Sequence, residues 1–174
     1  MTLLDAVQIR APIAGKSGRC LDALEVFTEI DSTNSHLMQQ PAPEAGRFRV
    51  VLAEHQTAGR GRCDKRWQSP ASCGLCMSMA YTFTKLRLDL SAASLAVGVG
   101  VVRALESIGL AGVGLKWPND IVVRNGKLGG ILTEVRRVRD GQATIVVGVG
   151  INIDLGQHRD SIDVSPGVGG VSDL

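Results

Sequence analysis

Two Asx-Gly pairs, Asn125-Gly126 and Asp140-Gly141, constrain the second half of this chain more than any other feature. Each is a strong hairpin signal, because a tight two-residue turn needs left-handed backbone that asparagine, aspartate and glycine tolerate. They separate runs of strand character: Ile121 to Val123, Lys127 to Val135 and Ala143 to Ile153, with Leu115 to Trp117 before them. Strands joined so closely must run antiparallel. Upstream, Glu25 to Ile30 alternates like a strand. Asp31-Ser32-Thr33-Asn34 offers several N-caps for a short helix through Gln40, which Pro41 and Pro43 end. Phe48 to His55 and Gly74 to Phe83 are further apolar strands. Between them Gln56 to Ala71 is a long polar loop, of the kind that is usually functional. Ser91 to Ile108 has helical spacing, with Leu95, Val99, Val102 and Leu105 on one face. The sum is an α+β domain: a mixed, largely antiparallel sheet with helices packed on one face. Residues 1–22 carry no clear pattern and are set apart as an N-terminal extension, leaving 23–174 as one domain.

Composition narrows the function classes. Nineteen Lys and Arg against seventeen Asp and Glu leave a net charge of +2, so anion binding must come from local clusters. Six aromatic residues are few for stacking bases. The longest apolar run, Leu95 to Val102, is too short to cross a bilayer, and the N-terminus lacks the apolar core of a signal peptide. The expectation is a cytoplasmic protein with reduced thiols at Cys20, Cys63, Cys73 and Cys76. Cys73 and Cys76 form a C-x-x-C, but in an extended strand residues three apart point to opposite faces, so they are read as ordinary thiols. His36, His55 and His158 are scattered, and neither G-x-S-x-G nor H-E-x-x-H occurs. No metal-ligand cluster and no hydrolytic nucleophile is expected.

The chemistry-bearing residues lie in a series of segments. Gly59-Arg60-Gly61-Arg62-Cys63-Asp64-Lys65-Arg66-Trp67 sets two glycines and four cations ahead of a tryptophan, which suits an anion that backbone and guanidinium donors can approach. Read alone it is equally a solvated charged turn or a phosphate grip on nucleic acid. Lys116-Trp117-Pro118-Asn119-Asp120 follows, then Lys127-Leu128-Gly129-Gly130 and Gly148-Val149-Gly150-Ile151-Asn152. Each has a plain structural reading: a proline-fixed turn, an exposed strand lysine, close strand packing. Neither Gly98-x-Gly100 nor Gly148-x-Gly150 completes a dinucleotide fingerprint, and no P-loop occurs. A nucleotide, if bound, is held in another way.

Together and in this order, these segments resemble the catalytic domain of biotin protein ligases. The resemblance includes Ser32-Thr33-Asn34, Glu54-His55-Gln56-Thr57-Ala58-Gly59-Arg60-Gly61-Arg62 and Lys127-Leu128-Gly129-Gly130-Ile131-Leu132, and covers roughly residues 24–155. It implies ATP-dependent activation of biotin to biotinyl-5′-AMP, with Mg²⁺ accompanying the ATP, and transfer to a lysine of a biotin carboxyl carrier protein, an acetyl-CoA carboxylase subunit. Lys127, Arg62 and Lys116 would be catalytic. Ser32, Thr33, Asn34, Gln56, Gly59, Arg60, Arg62, Lys127, Gly130 and Gly148 would hold biotin. Arg60, Arg62, Lys65, Trp67, Lys116, Asn119, Asp120, Gly150 and Asn152 would hold ATP, with Asn152 against the adenine. No nucleic-acid or membrane partner is implied, and a homodimer through the sheet is left open.

The sequence also departs from the family. Asp64 stands where the family has glycine, Lys65 where it has arginine, and Cys76 where an aromatic residue walls the biotin pocket. By the same resemblance the small C-terminal β-domain is absent. A lipoate- or octanoate-transferring relative, an inactive biotin-binding paralogue or fragment, and a nucleic-acid-binding module using the arginine loop remain as alternatives.

Overall fold

The computed structural model describes residues 4–68, 70–84, 90–124, 126–137 and 142–155. Their elements run α1 (Ala6–Arg10), α2 (Gly15–Cys20), β1 (Leu21–Ile30), α3 (Thr33–Gln39), β2 (Phe48–Gln56), β3 (Gly74–Phe83), α4 (Leu90–Ser107), β4 (Val113–Lys116), β5 (Asp120–Val123), β6 (Gly126–Arg137) and β7 (Ala143–Asn152). The strands form one seven-stranded sheet in the order β1-β2-β3-β7-β6-β5-β4. β1 pairs parallel to β2, and the other five pairings are antiparallel. The mixed, largely antiparallel α+β sheet is as expected from the sequence. β4 to β7 are sequential antiparallel neighbours, as the Asx-Gly pairs require; Asn125, Asp140 and Gly141 themselves lie outside the described residues.

Three expectations are corrected. β1 begins at Leu21, earlier than Glu25, because its parallel register on β2 starts at Leu21↔Phe48. The extension before it contains two short helices, the first capped by Asp5, whose carboxylate accepts from the amides of Val7 and Gln8.

Second, the helices do not share one face. Strand side chains alternate between faces, and β7 sends Ile145, Val147, Val149 and Ile151 to the core under α4 while Val146 packs with Leu37 of α3. α4 therefore covers one face and α3 the other.

Third, α4 is rotated from the expected orientation. Leu95 and Val99 are exposed, while Ala93 and Leu105 are buried with Val97, Val101 and Val102 packed beside them. Gly98 lies on the packed side. A Cβ there would collide with both methyl groups of Leu115, so the helix approaches β4 and β6 along its glycine side. No described helix is long and apolar enough to cross a membrane.

Candidate active site

The α3 face of the sheet carries a cavity of about 560 Å³, and its floor begins where α3 begins. Ser32 caps that helix through Ser35 N–H, 3.3 Å from its Oγ. This turns Thr33 and Asn34 inward, both nearly fully buried. Thr33 donates from N–H to Gln56 Oε1 at 2.8 Å, and its Oγ1 lies 2.6 Å from Ser78 Oγ. Ser78 Oγ donates to Asn34 Oδ1 at 2.6 Å, and Asn34 Nδ2 donates to Glu134 Oε2 at 2.9 Å. Glycine is required opposite, because a Cβ on Gly148 would overlap the Asn34 amide. The result is a rigid floor of uncharged hydrogen-bonding groups from two strands and one helix, tied at its edge to Glu134 of β6.

The rim is cationic. The expected long loop is in fact closed on itself. Trp67 N–H donates to Gly59 C=O at 3.0 Å and Gly61 N–H donates to Lys65 C=O at 2.7 Å, so the backbone at Arg60 runs antiparallel to that at Arg66. Cys63 and Asp64, at its tip, both have left-handed φ, at 53° and 59°. Arg60, Arg62, Lys65, Arg66 and Trp67 line the cavity. The Trp67 indole lies over Gly150, where any side chain would collide with it, and its Nε1 is buried without a hydrogen-bond partner. Arg62 Nη1 stands 3.5 Å from Asn119 Oδ1. Asn119 is locked to β6 by its own Nδ2, which donates to Ile131 C=O, and by its carbonyl, which accepts from Ile131 N–H. The Trp117-Pro118 peptide before it is cis.

Lys127 reaches the cavity because of a bulge. Ile121 pairs with Gly129 but Val122 with Lys127, so Leu128 is the extra residue of β6. The bulge turns Leu128 into the core, where it is fully buried, and turns Lys127 to the α3 face. Its Nζ meets Asp120 Oδ1 at 2.8 Å and lies over Gly130. Asp120 is the one acidic side chain on the cavity wall among the described residues.

Most of the sequence-predicted site residues are thus brought together: Ser32, Thr33, Asn34, Gln56, Arg60, Arg62, Lys65, Trp67, Asn119, Asp120, Lys127, Gly130, Gly148, Gly150 and Asn152 all line the cavity. Two do not. Gly59 sits at the base of the loop, beneath Trp67 and Gln56, and Lys116 borders a smaller adjoining cavity of about 120 Å³. His36 and His55 pair with Glu25 and Glu29, and His158 lies outside the described residues. Cys76 is buried on the α3 face, in register with Gly150. Burial, with Asp154 nearby, pushes the Cys73 thiol above its usual range. Ser78 and Glu134 escaped the sequence reading. Ser78 is signalled only by a hydroxyl inside an apolar strand, and Glu134 only by an acid flanked by Thr133 and Val135.

An uncharged polar floor joined to a cationic rim has the chemistry to suit a small ligand with a neutral polar head and an anionic end. The chain belongs to the Biotin/lipoate A/B protein ligase family, whose sequence profile matches residues 26–152. It is 34% identical over 92% of its length to the bifunctional ligase/repressor BirA of Escherichia coli, covering 48% of that protein. It is 38% identical over 86% of its length to the biotin–[acetyl-CoA-carboxylase] ligase of Mycobacterium tuberculosis, covering 56% of it. The chain therefore spans about half the length of these curated relatives. Among solved structures it is similar to the biotin protein ligase from Aquifex aeolicus in complex with biotin and ATP, with a TM-score of 0.71 and 29% identity over 87% of this chain and 60% of that one.

Proposed function

We propose that this chain carries the active site of an ATP-dependent biotin protein ligase, which forms biotinyl-5′-AMP and passes the biotinyl group to a carrier lysine. The observation that carries this reading is the turning of Lys127, by the Leu128 bulge, into the same cavity as the Thr33–Ser78–Asn34 floor and the arginine loop. The floor offers neutral donors and acceptors of the kind a ureido group needs. The rim adds cations, Arg62, Lys65 and Lys127 among them, of the kind a carboxylate tail needs. The names of the relatives, and the biotin and ATP in the Aquifex aeolicus complex, support the same reading.

In the first step a biotin carboxylate oxygen bonds to the α-phosphorus, the bond to the β-phosphate oxygen breaks, and pyrophosphate leaves. Negative charge builds on the α-phosphate oxygens, and fixed cations oppose it better than water does. Lys127 supplies one by exchanging Asp120 for the reacting oxygens. Arg62, beside Asn119, supplies another, and Lys65 on the same wall favours the leaving phosphates; Lys116, which borders the adjoining cavity, acts on them at most at longer range. In the second step a neutral carrier lysine attacks the acyl carbon, the bond to AMP oxygen breaks, and the amine proton is lost to solvent. Neither step needs a protein nucleophile. The loop from Gly59 to Trp67 limits water at the mixed anhydride.

The buried, unpartnered Nε1 of Trp67 beside Gly150 fits a ligand acceptor at the nucleotide end, near Asn152. For a divalent ion the wall provides only Asp120 among the described residues, and no group of three metal-ligating side chains occurs there. This fits Mg²⁺ arriving on the triphosphate, with Asp120 its one protein carboxylate. When bound it would neutralise phosphate charge.

The test is transfer itself. With Mg-ATP and biotin, the full chain is expected to label a purified biotin carboxyl carrier domain at one lysine, detected by streptavidin blot. Labelling that proceeds without ATP, or that persists when the acceptor lysine is replaced by arginine, overturns the reading.

A further inference from the structure

Glu134 belongs to no motif, yet it sits at the junction of the two halves of the site. Its Oε2 accepts from Arg60 Nη2 at 2.6 Å and from Asn34 Nδ2 at 2.9 Å. Arg60 stands in the closed loop, and Asn34 in the buried floor. The hydrogen-bonded chain therefore runs from Gln56 through Thr33, Ser78 and Asn34 to Glu134, and across to Arg60. Glu134 is the one anion in it. It stands on β6 three residues beyond Ile131, which is bonded to Asn119.

We infer that Glu134 is a positioning residue: its carboxylate holds the arginine loop over the pocket and makes that hold depend on the orientation of the Asn34 amide. The inference rests on the biotin ligase reading for the identity of the ligand, but the latch itself does not. Physically, one carboxylate oxygen accepts two donors, so each bond depends on the other. A charge-assisted contact such as Arg60–Glu134 is stronger and more directional than a neutral one. The guanidinium is nearly half exposed, so solvent screens the pair and the latch stays weak enough to open. The floor side is different. Asn34 is 3% exposed and fixed by Ser78, so it cannot shift without breaking a buried bond. A ligand head that bonds the Asn34 amide would hold it in the orientation that keeps Glu134 aimed at Arg60. Filling the floor then steadies the lid, although the two never touch.

The experiment uses trypsin, because the loop carries its own cleavage sites after Arg62, Lys65 and Arg66. Cleavage at these three sites is followed by mass spectrometry in the full chain, without ligand and with saturating biotin, for wild type, Glu134→Gln, Arg60→Gln and the double variant. Thermal unfolding of each protein separates a loose loop from a loose fold. Glu134→Gln is expected to speed ligand-free cleavage about three- to tenfold, the range for losing one partly exposed charge-assisted bond. The double variant is expected to cleave no faster than either single one, because both remove the same contact. In Glu134→Gln, biotin is expected to protect the loop less than in wild type.

Cleavage of Glu134→Gln at the wild-type rate overturns the latch. So does a double variant whose effect is the product of the single ones. Should wild type show no protection by biotin, the biotin reading fails, while the ligand-free comparison still decides the latch. A variant that melts early but keeps wild-type loop cleavage before melting shows a structural role only, and also overturns the proposal.

Discussion

Gly148→Ala tests the floor most sharply, because the structure specifies what the added methyl meets. A Cβ on Gly148 overlaps Asn34 Oδ1, and the Asn34 amide has nowhere to go. Its oxygen takes the Ser78 hydroxyl at 2.6 Å, and its nitrogen gives to Glu134 at 2.9 Å. Moving it breaks at least one of these and leaves buried polar atoms unpaired, which costs roughly 1–3 kcal/mol per group. The two losses overlap, so the total is about 2–4 kcal/mol. For a chain of this size that lowers Tm by roughly 5–15 °C. Gly130→Ala is the matched control. Its Cβ would find Lys127 Cε and Nζ at 3.8 Å, an ordinary contact, so stability should change by less than about 0.5 kcal/mol. Calorimetry of both variants against wild type gives the comparison. Equal melting shifts for Gly148→Ala and Gly130→Ala would refute the account of a rigid, fully bonded floor.

Other consequences are equally accessible. On the proposed function, removing the anion at the loop tip by Asp64→Asn should tighten ATP binding about two- to fivefold, the effect of one solvent-screened charge beside the cationic rim. Asp64→Gly should do so too, and in addition relieve up to about 1 kcal/mol of left-handed strain; equilibrium binding of ATP and melting curves read the two effects separately. Cys73, its thiol raised first by burial and then by Asp154, holds less thiolate at neutral pH. Its iodoacetamide reaction should reach half-maximal rate at a higher pH than a free peptide thiol, and Asp154→Asn should lower that midpoint in part. On α4, Leu105→Ala should cost about 2–4 kcal/mol in denaturant unfolding, whereas Leu95→Ala should cost less than about 1 kcal/mol.

The sheet was legible because its information is local. Alternation in Glu25 to Ile30, the apolar runs of β2 and β3, the cap candidates over 31–34 and the Asx-Gly pairs each act over a few residues and all agree. The orientation of α4 was not, since Leu95, Val97, Val99, Val101 and Val102 make the helix apolar nearly all round. Spacing alone does not choose a face there; the chosen side is the one where Gly98 packs under Leu115 and Ile131, contacts that no local pattern shows. The division of helices between the two faces depends likewise on chain crossovers that no local pattern encodes. In the site, the segment motifs marked most cavity residues, but not how they reach it. Lys127 points into the cavity through a bulge, and a bulge flips the alternation from which a strand lysine's direction is read. Lys116 and Gly59 show the converse: motif membership placed them near the cavity and the fold leaves them off its wall. Ser78 and Glu134 have meaning only through Asn34 and Arg60, which are tens of residues away.

The most direct measurement is biotin-dependent exchange of labelled pyrophosphate into ATP with Mg²⁺, for wild type and Lys127→Ala. Exchange reports the reversal of adenylation alone, with no carrier present. The account predicts exchange that requires biotin and falls by about two to three orders of magnitude when the Lys127 cation, held 2.8 Å from Asp120, is removed. Folded wild-type protein that binds both substrates and exchanges nothing, or exchange that Lys127→Ala leaves intact, would contradict it.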